Sequence, residues 1–334
     1  MKSNNNSSVF NMFVSNFRSD FISGFLVFLI ALPLSLGIAQ ASDFPAIMGL
    51  VTAMIGGVFV SWFVGSELTI KGPAAGLIVI VAGAVEEFGR GDNVEGWHMA
   101  LGAILVAGII QLLFGFIRLG SLIDFFPLST IHGMLTAIGI IIISKQSHLL
   151  FGSMPLNKMG ESITEPFELL LAIPLSIIGG EIKVSLIGLL SLFLVLYWPK
   201  LKISSLKKIP APLVVLAVSI LLAKMVALPE KYLIHFEQDF LHSIAWNERF
   251  DGINQLGVFV KYVLLFSIVG SLESLLTVKA MDMHDPLQRK SDANKDLMAV
   301  GFGNIISSIV GGLPMISEVA RSSANIENGA KTRF

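Results

Sequence analysis

Glu273 lies in the middle of an apolar run over residues 255–278, and Thr277 follows four residues later, on the same face of a helix. A carboxylate at membrane depth is costly, which marks it as functional by default. Together the two side chains could ligate Na⁺ through hard oxygen atoms. Glu273 could instead carry a proton, or make a structural hydrogen bond to a neighbouring helix. Near the other end of the chain, Glu318 and Arg321 stand three residues apart in a second apolar context. Arg321 should face a cavity, an anion or a carboxylate, so an anion-binding role and an ion pair with Glu318 or Glu273 are both open. Glu318 suits the start of a helix, where it would compete with an anionic ligand for the same N–H groups. That makes it a gating or coupling residue, or simply a cap. Gln40 could donate an amide hydrogen bond to an oxyanion. Lys71 could sit at a cytoplasmic vestibule, and His132 reads as a packed, hydrogen-bonded residue.

Two short apolar segments must position these groups. Thr69-Ile70-Lys71-Gly72-Pro73-Ala74-Ala75-Gly76 leads into residues 77–85, and Gly311-Gly312-Leu313-Pro314-Met315-Ile316-Ser317-Glu318 leads into residues 319–326. Each is too short to cross a bilayer, which takes about 20 apolar residues as a helix. Non-helical backbone at that depth is tolerated only where protein or a polar cavity satisfies it. A pair of broken helices in matching places of two halves points to a transporter's binding site; the plainer reading is a kinked helix packed on its neighbours. The start of a helix presents orphan N–H groups and the positive end of the macrodipole. Ala74, Ala75 and Gly76 could offer such groups at one site, and Ser317, Glu318 and Val319 at the other, with Ser317 a candidate N-cap. Close helix packing is the alternative role for these small residues.

Of the 334 residues 54% are hydrophobic and only 14% charged, against roughly 25% charged in soluble chains. The chain therefore reads as an all-α polytopic membrane protein. The absence of cysteine excludes disulfides, thiolate metal sites and cysteine nucleophiles. Spans are expected at residues 21–40, 46–64, 97–117, 125–144, 184–198, 211–228, 255–278 and 297–310, with half-helices at 73–85 and after Pro314. Residues 1–19 form a polar Asn/Ser arm, and 169–178 are too short to cross. The loops holding Arg118, Lys200, Lys202, Lys207, Lys208, Lys279, Arg289, Lys290 and Lys295 fall on one side, which the positive-inside rule makes cytoplasmic together with the N-terminus. Seven segments with a broken third, then three more with a broken third, suggest an inverted repeat whose second copy stops early. On that reading the chain is a truncated product. An enzyme is not expected: haem would call for paired membrane histidines, and intramembrane hydrolysis for a His/Glu or Asp pair inside the spans.

Ala31-Leu32-Pro33 through Ile38-Ala39-Gln40-Ala41, with Pro45 and Gly49-Leu50, resembles the first-helix signature of the SulP family of sulfate and other anion transporters. Gly72-Pro73-Ala74, Ser271-Leu272-Glu273-Ser274-Leu275-Leu276, Gly311-Gly312-Leu313-Pro314, Arg321-Ser322 and Gly329-Ala330-Lys331-Thr332 resemble the family's third, eighth and tenth helices. The resemblance implies fourteen segments in two inverted repeats of seven, akin to the uracil-permease fold, of which this chain would hold the first repeat and three segments of the second. It implies core-domain helices at 20–124 and 255–334, gate-domain helices at 125–228 and an extracytoplasmic loop at 229–254. Function would be elevator-type secondary transport of sulfate or bicarbonate across the plasma membrane, coupled to Na⁺ or H⁺. The anion would lie near Gln40, Ala74, Ala75, Gly76, Ser317, Glu318, Val319 and Arg321, and the cation at Glu273 and Thr277. Ala74 lacks the hydroxyl that some relatives have there. No cofactor beyond a coupling Na⁺ is implied, and no nucleic acid; the expected partners are a small anion, the bilayer and a second copy in a homodimer. A nucleobase or dicarboxylate carrier, or a non-transporting fragment, are the alternatives.

Overall fold

The computed structural model describes residues 5–125, 127–153, 155, 156, 163, 165–201, 211–233 and 251–333. Lys202, Lys207, Lys208 and most of the loop expected at 229–254 lie outside them. Helices α1 (Asn5–Ala41), α2 (Ala46–Val58), α3 (Ile78–Gly89), α4 (Asn93–Phe116), α5 (Leu128–Leu150), α6 (Pro166–Gly179), α7 (Ile182–Tyr197) and α8 (Ala211–Met225) come first. Then follow α9 (Leu256–His284), α10 (Ala293–Ile309) and α11 (Val319–Glu327), with strands β1 (Ile70–Pro73) before α3 and β2 (Met315–Glu318) before α11. The order α1-α2-β1-α3 recurs as α9-α10-β2-α11.

Several boundaries correct the expectations. The arm is helical from Asn5 onward, because extending an existing helix costs little once it is nucleated. Gly72 and Pro73 belong to a strand rather than to a helix start, so α3 begins five residues after Pro73. Helix α10 starts at Ala293, four residues ahead of the expected span. Asp292 caps it by accepting from the N–H groups of Asn294 and Lys295, as an Asx N-cap should. Asp296 thereby moves from a charged loop into a buried first turn.

Two compact units form, Met1–Met134 with Glu237–Phe334, and Leu135–Phe236. In the first, α2, α3, α4, α9 and α10 surround a core that includes Met48, Val81, Phe88, Leu101, Ile104 and Phe266. Helices α4 and α10 touch backbone to backbone: a Cβ on Gly108 would lie 2.9 Å from the Gly301 carbonyl oxygen, and one on Gly301 2.6 Å from that of Gly108. This is the small-residue packing of membrane helices. In the second unit, α6 and α7 meet at a 117° bend, and Ser191 Oγ reaches Ser219 Oγ on α8 at 2.9 Å. Buried His148 bridges Ser176 Oγ (2.6 Å) and the Leu169 carbonyl (3.0 Å) there. His132 is exposed on α5. Among the described residues, Val14–Ala41, Asn93–Phe116 and Leu256–His284 are single helices long and apolar enough to cross a membrane.

Candidate anion-binding site between the two half-helices

The two broken segments solve each other's backbone problem. β1 and β2 pair antiparallel, with Ile70 opposite Glu318, Lys71 opposite Ser317, Gly72 opposite Ile316 and Pro73 opposite Met315. Buried backbone in a membrane must find partners, and here each break supplies the other's. The Ala74 N–H extends the contact to the Pro314 carbonyl at 2.9 Å. Asn304 grips β2 further on, donating to the Met315 carbonyl and accepting from its N–H. Thr52 Oγ1 accepts from Leu313 N–H, and Ser307 donates to the Leu313 carbonyl.

Side chains alternate across a strand, so the ladder has two faces. On one, Lys71 and Ser317 stand opposite each other. Lys71 Nζ contacts Asp296 Oδ1 (2.8 Å) and Oδ2 (3.0 Å), Thr69 Oγ1 (2.7 Å) and Ser317 Oγ (2.7 Å). Ser274 Oγ donates to Ser317 Oγ and accepts from its N–H, and Ser317 Oγ donates to Asp296 Oδ2. The lysine and aspartate side chains are 1% and 0% exposed, so this ion pair is dry and fully ligated. Lys71 therefore does not face a vestibule. Ser317 is not an N-cap either: its hydroxyl belongs to the Lys71 cluster, and Glu318 is the N-cap residue of α11, without a side-chain cap bond.

The other face carries Gly72 and Glu318, with Arg321 one turn beyond. Arg321 Nη2 donates to Ser35 Oγ on α1 at 2.9 Å. A Cβ on Gly72 would sit 2.3 Å from Arg321 Nη1, so glycine leaves room for the guanidinium over the strand. Glu318 and Arg321 interact electrostatically, as do Glu318 and Glu273. No N···O contact within 4.0 Å joins Arg321 to either carboxylate among the described residues. The ion pair read as one option for Arg321 is therefore not closed, because the guanidinium is drawn toward Ser35 and Gly72. Glu273 Oε1 accepts from the Gly76 N–H at 3.0 Å, and the Ala75 N–H is directed at the Glu318 carboxylate. Of the amides expected to greet a ligand, those of Ala75 and Gly76 thus face the protein's own carboxylates, that of Ala74 a carbonyl and that of Ser317 the Ser274 hydroxyl.

Three polar atoms in this region are buried without any hydrogen-bond partner: Thr277 Oγ1, Glu318 Oε1 and Arg321 Nε. Buried polar groups are nearly always satisfied, so three orphans on α9 and at the start of α11 make this the candidate site. Val319 opens α11 beside them, half-buried. Gln40 is exposed at the end of α1, where the helix turns Ile38 and Ala39 inward. The sequence alone assigned no role to Asp296, Ser274 or Ser35. The Asp292 cap before an apolar run could have revealed Asp296, whereas nothing local marks the two serines.

Two half-helices joined by an antiparallel strand pair, with unpartnered buried polar atoms beside them, define a class of fold: the polytopic membrane protein built from seven-plus-seven inverted repeats. The chain belongs to the Sulfate permease family, whose model matches residues 17–334. It is 27% identical over 320 residues to a putative sulfate transporter, YvdB, of Bacillus subtilis (strain 168), covering 95% of this chain and 57% of that protein. It is 26% identical over 325 residues to the bicarbonate transporter BicA of Picosynechococcus sp., covering 95% and 55%. The chain therefore spans a little over half the length of these curated relatives. Among solved structures, the transmembrane domain of a cyanobacterial BicA matches with a TM-score of 0.77 at 24% identity, over 95% of this chain and 78% of that one. SLC26A9 matches at 0.74 and 16% identity, over 96% and 52%. At these identities the likeness to the solved structures is one of fold.

Proposed function

We propose that this chain carries the ion-handling part of a secondary transporter for a small inorganic anion, sulfate or bicarbonate, in the plasma membrane with its N-terminus cytoplasmic. The observation that carries the reading is the set of buried, unpartnered atoms of Thr277, Glu318 and Arg321 around the paired half-helices. Arg321 supplies the positive charge for the anion, and Ala75 and Gly76 supply backbone donors once the carboxylates yield them. Glu273 and Thr277 offer two hard oxygen ligands for Na⁺, or Glu273 alone carries H⁺, which couples the anion to a cation gradient. The residues fit a Na⁺: Thr277 Oγ1 has no other partner and stands one helical turn from a buried carboxylate. The unit that holds the half-helices moves as an elevator to carry the anion across. The names of the relatives support the substrate class, and the repeat architecture supports the mode.

The test is uptake of labelled sulfate and bicarbonate into proteoliposomes, with and without Na⁺ and pH gradients, using protein expressed from the complete coding sequence. Gradient-driven accumulation of either anion is the expected result. A folded protein that moves neither under any gradient overturns the proposal.

A further inference from the structure

The gap between Glu318 and Arg321 has a chemistry of its own. An ionised carboxylate only accepts hydrogen bonds, and a guanidinium only donates them. Glu318 is 3% and Arg321 1% exposed, and each keeps one atom, Oε1 and Nε, without a partner. A buried charge stripped of water and left unmatched is costly. Spaced three residues apart at a helix start, the two could close on each other, yet they stay beyond 4.0 Å. A ligand that completes both must offer an O–H donor to Glu318 and acceptor oxygens to Arg321.

We infer that Glu318 is the specificity residue of the site, and that with Arg321 it selects a protonated monovalent oxyanion, of which hydrogen carbonate is the type, over sulfate. This rests on the anion-carrier reading above and narrows its substrate class. Hydrogen carbonate carries one O–H and, across from it, a delocalised O–C–O edge that matches the planar fork of a guanidinium. Sulfate has no donor to give Glu318. It also brings two negative charges beside two carboxylates, Glu318 and Glu273, with only Arg321 to offset them, because Lys71 is already matched by Asp296. A site built around a hydrogen-bonding group discriminates strongly against analogues that lack its complement, since the site's own polar group is left unpaired. Halides fail by the same criterion. Gly72 is part of the device, because a Cβ there would lie 2.3 Å from Arg321 Nη1 and displace the guanidinium.

The experiment is calorimetric titration of the purified protein with sodium hydrogen carbonate and with sodium sulfate, for wild type and Glu318→Gln, alongside uptake of both labelled anions. Wild type should bind hydrogen carbonate more tightly than sulfate. Glu318→Gln should lower the preference by about 10- to 100-fold, the value of one charge-assisted hydrogen bond, by weakening hydrogen carbonate and sparing or improving sulfate. A wild-type preference for sulfate overturns the inference while the anion site stands, and it requires no variant to fold. An unchanged ratio in folded Glu318→Gln overturns it too. Selective binding without any uptake supports the inference and removes the carrier reading instead. Binding of neither anion sinks both.

Discussion

Replacing Gly76 by alanine puts a methyl carbon 2.1 Å from Glu273 Oε1, 2.6 Å from its Cδ and 2.7 Å from Oε2. The Gly76 φ is not in the left-handed region, so alanine meets no backbone strain and the whole effect falls on the carboxylate. To reach ordinary contact the carboxylate must retreat by about 1 Å or more, which stretches its 3.0 Å bond from the Gly76 N–H beyond hydrogen-bonding range. A hydrogen bond to a charged group is worth about 1.5–3 kcal/mol, or roughly 10- to 100-fold in an equilibrium constant. If the Glu273 carboxylate binds the coupling cation, the Na⁺ concentration for half-maximal anion uptake should shift by about that factor. The end of a flexible side chain yields here, not backbone, so the loss of folding stability should stay near the cost of one unsatisfied donor, about 1–3 kcal/mol. The assay is Na⁺-dependent uptake in proteoliposomes at saturating anion, with thermal unfolding of the same preparation as a control. An unchanged Na⁺ and pH dependence in a folded Gly76→Ala protein would refute the link between this contact and coupling.

The dry Lys71–Asp296 pair makes a separate prediction. Lys71→Met should destabilise by about 3–5 kcal/mol because it strands a buried aspartate, and adding Asp296→Leu should recover most of that loss; unfolding midpoints that add independently would contradict it. Gly72→Ala should displace Arg321 Nη1 and weaken anion binding, measured by titration, with little effect on cation affinity. Outside the spans, burial pushes the Asp285 carboxyl up, but donors from the Arg289 side chain and the Leu287 and Arg289 amides outweigh it and hold it below the usual carboxylate range. A lowered carboxyl contributes stability above its unfolded value, about 3.9, and loses it as pH falls through the folded value. Asp285→Asn should therefore cost stability near neutral pH, and the gap to wild type should close in acid below about pH 4. A gap that is constant across that range would show that the carboxyl is not held down.

The structure departs from the purely local reading where partners lie far apart along the chain. Arg321 offered Glu318 as a neighbour at helical spacing, yet its guanidinium went to Ser35, 286 positions away. Ser317 had the residue type and place of a cap, but Lys71 and Asp296, 246 and 21 positions away, claimed its hydroxyl. The Gly72-Pro73 and Pro314 breaks were legible because glycine and proline act on the backbone locally. That the breaks become two strands of one sheet was not, since pairing depends on both segments arriving at the same depth from opposite directions.

What sequence alone determined is the membrane class, the two interrupted segments and the interest of Glu273, Thr277, Glu318 and Arg321 as charged or polar groups in apolar stretches. Hydropathy and the local habits of glycine and proline suffice for those. Tertiary structure alone decided which donor meets which acceptor: Lys71 with Asp296 across 225 residues, the Gly76 amide with Glu273 across 197, and the orphaned atoms of Thr277, Glu318 and Arg321 left over. In a low-dielectric interior each such pairing outweighs local preference, because a buried polar group must take the partner that packing brings to it.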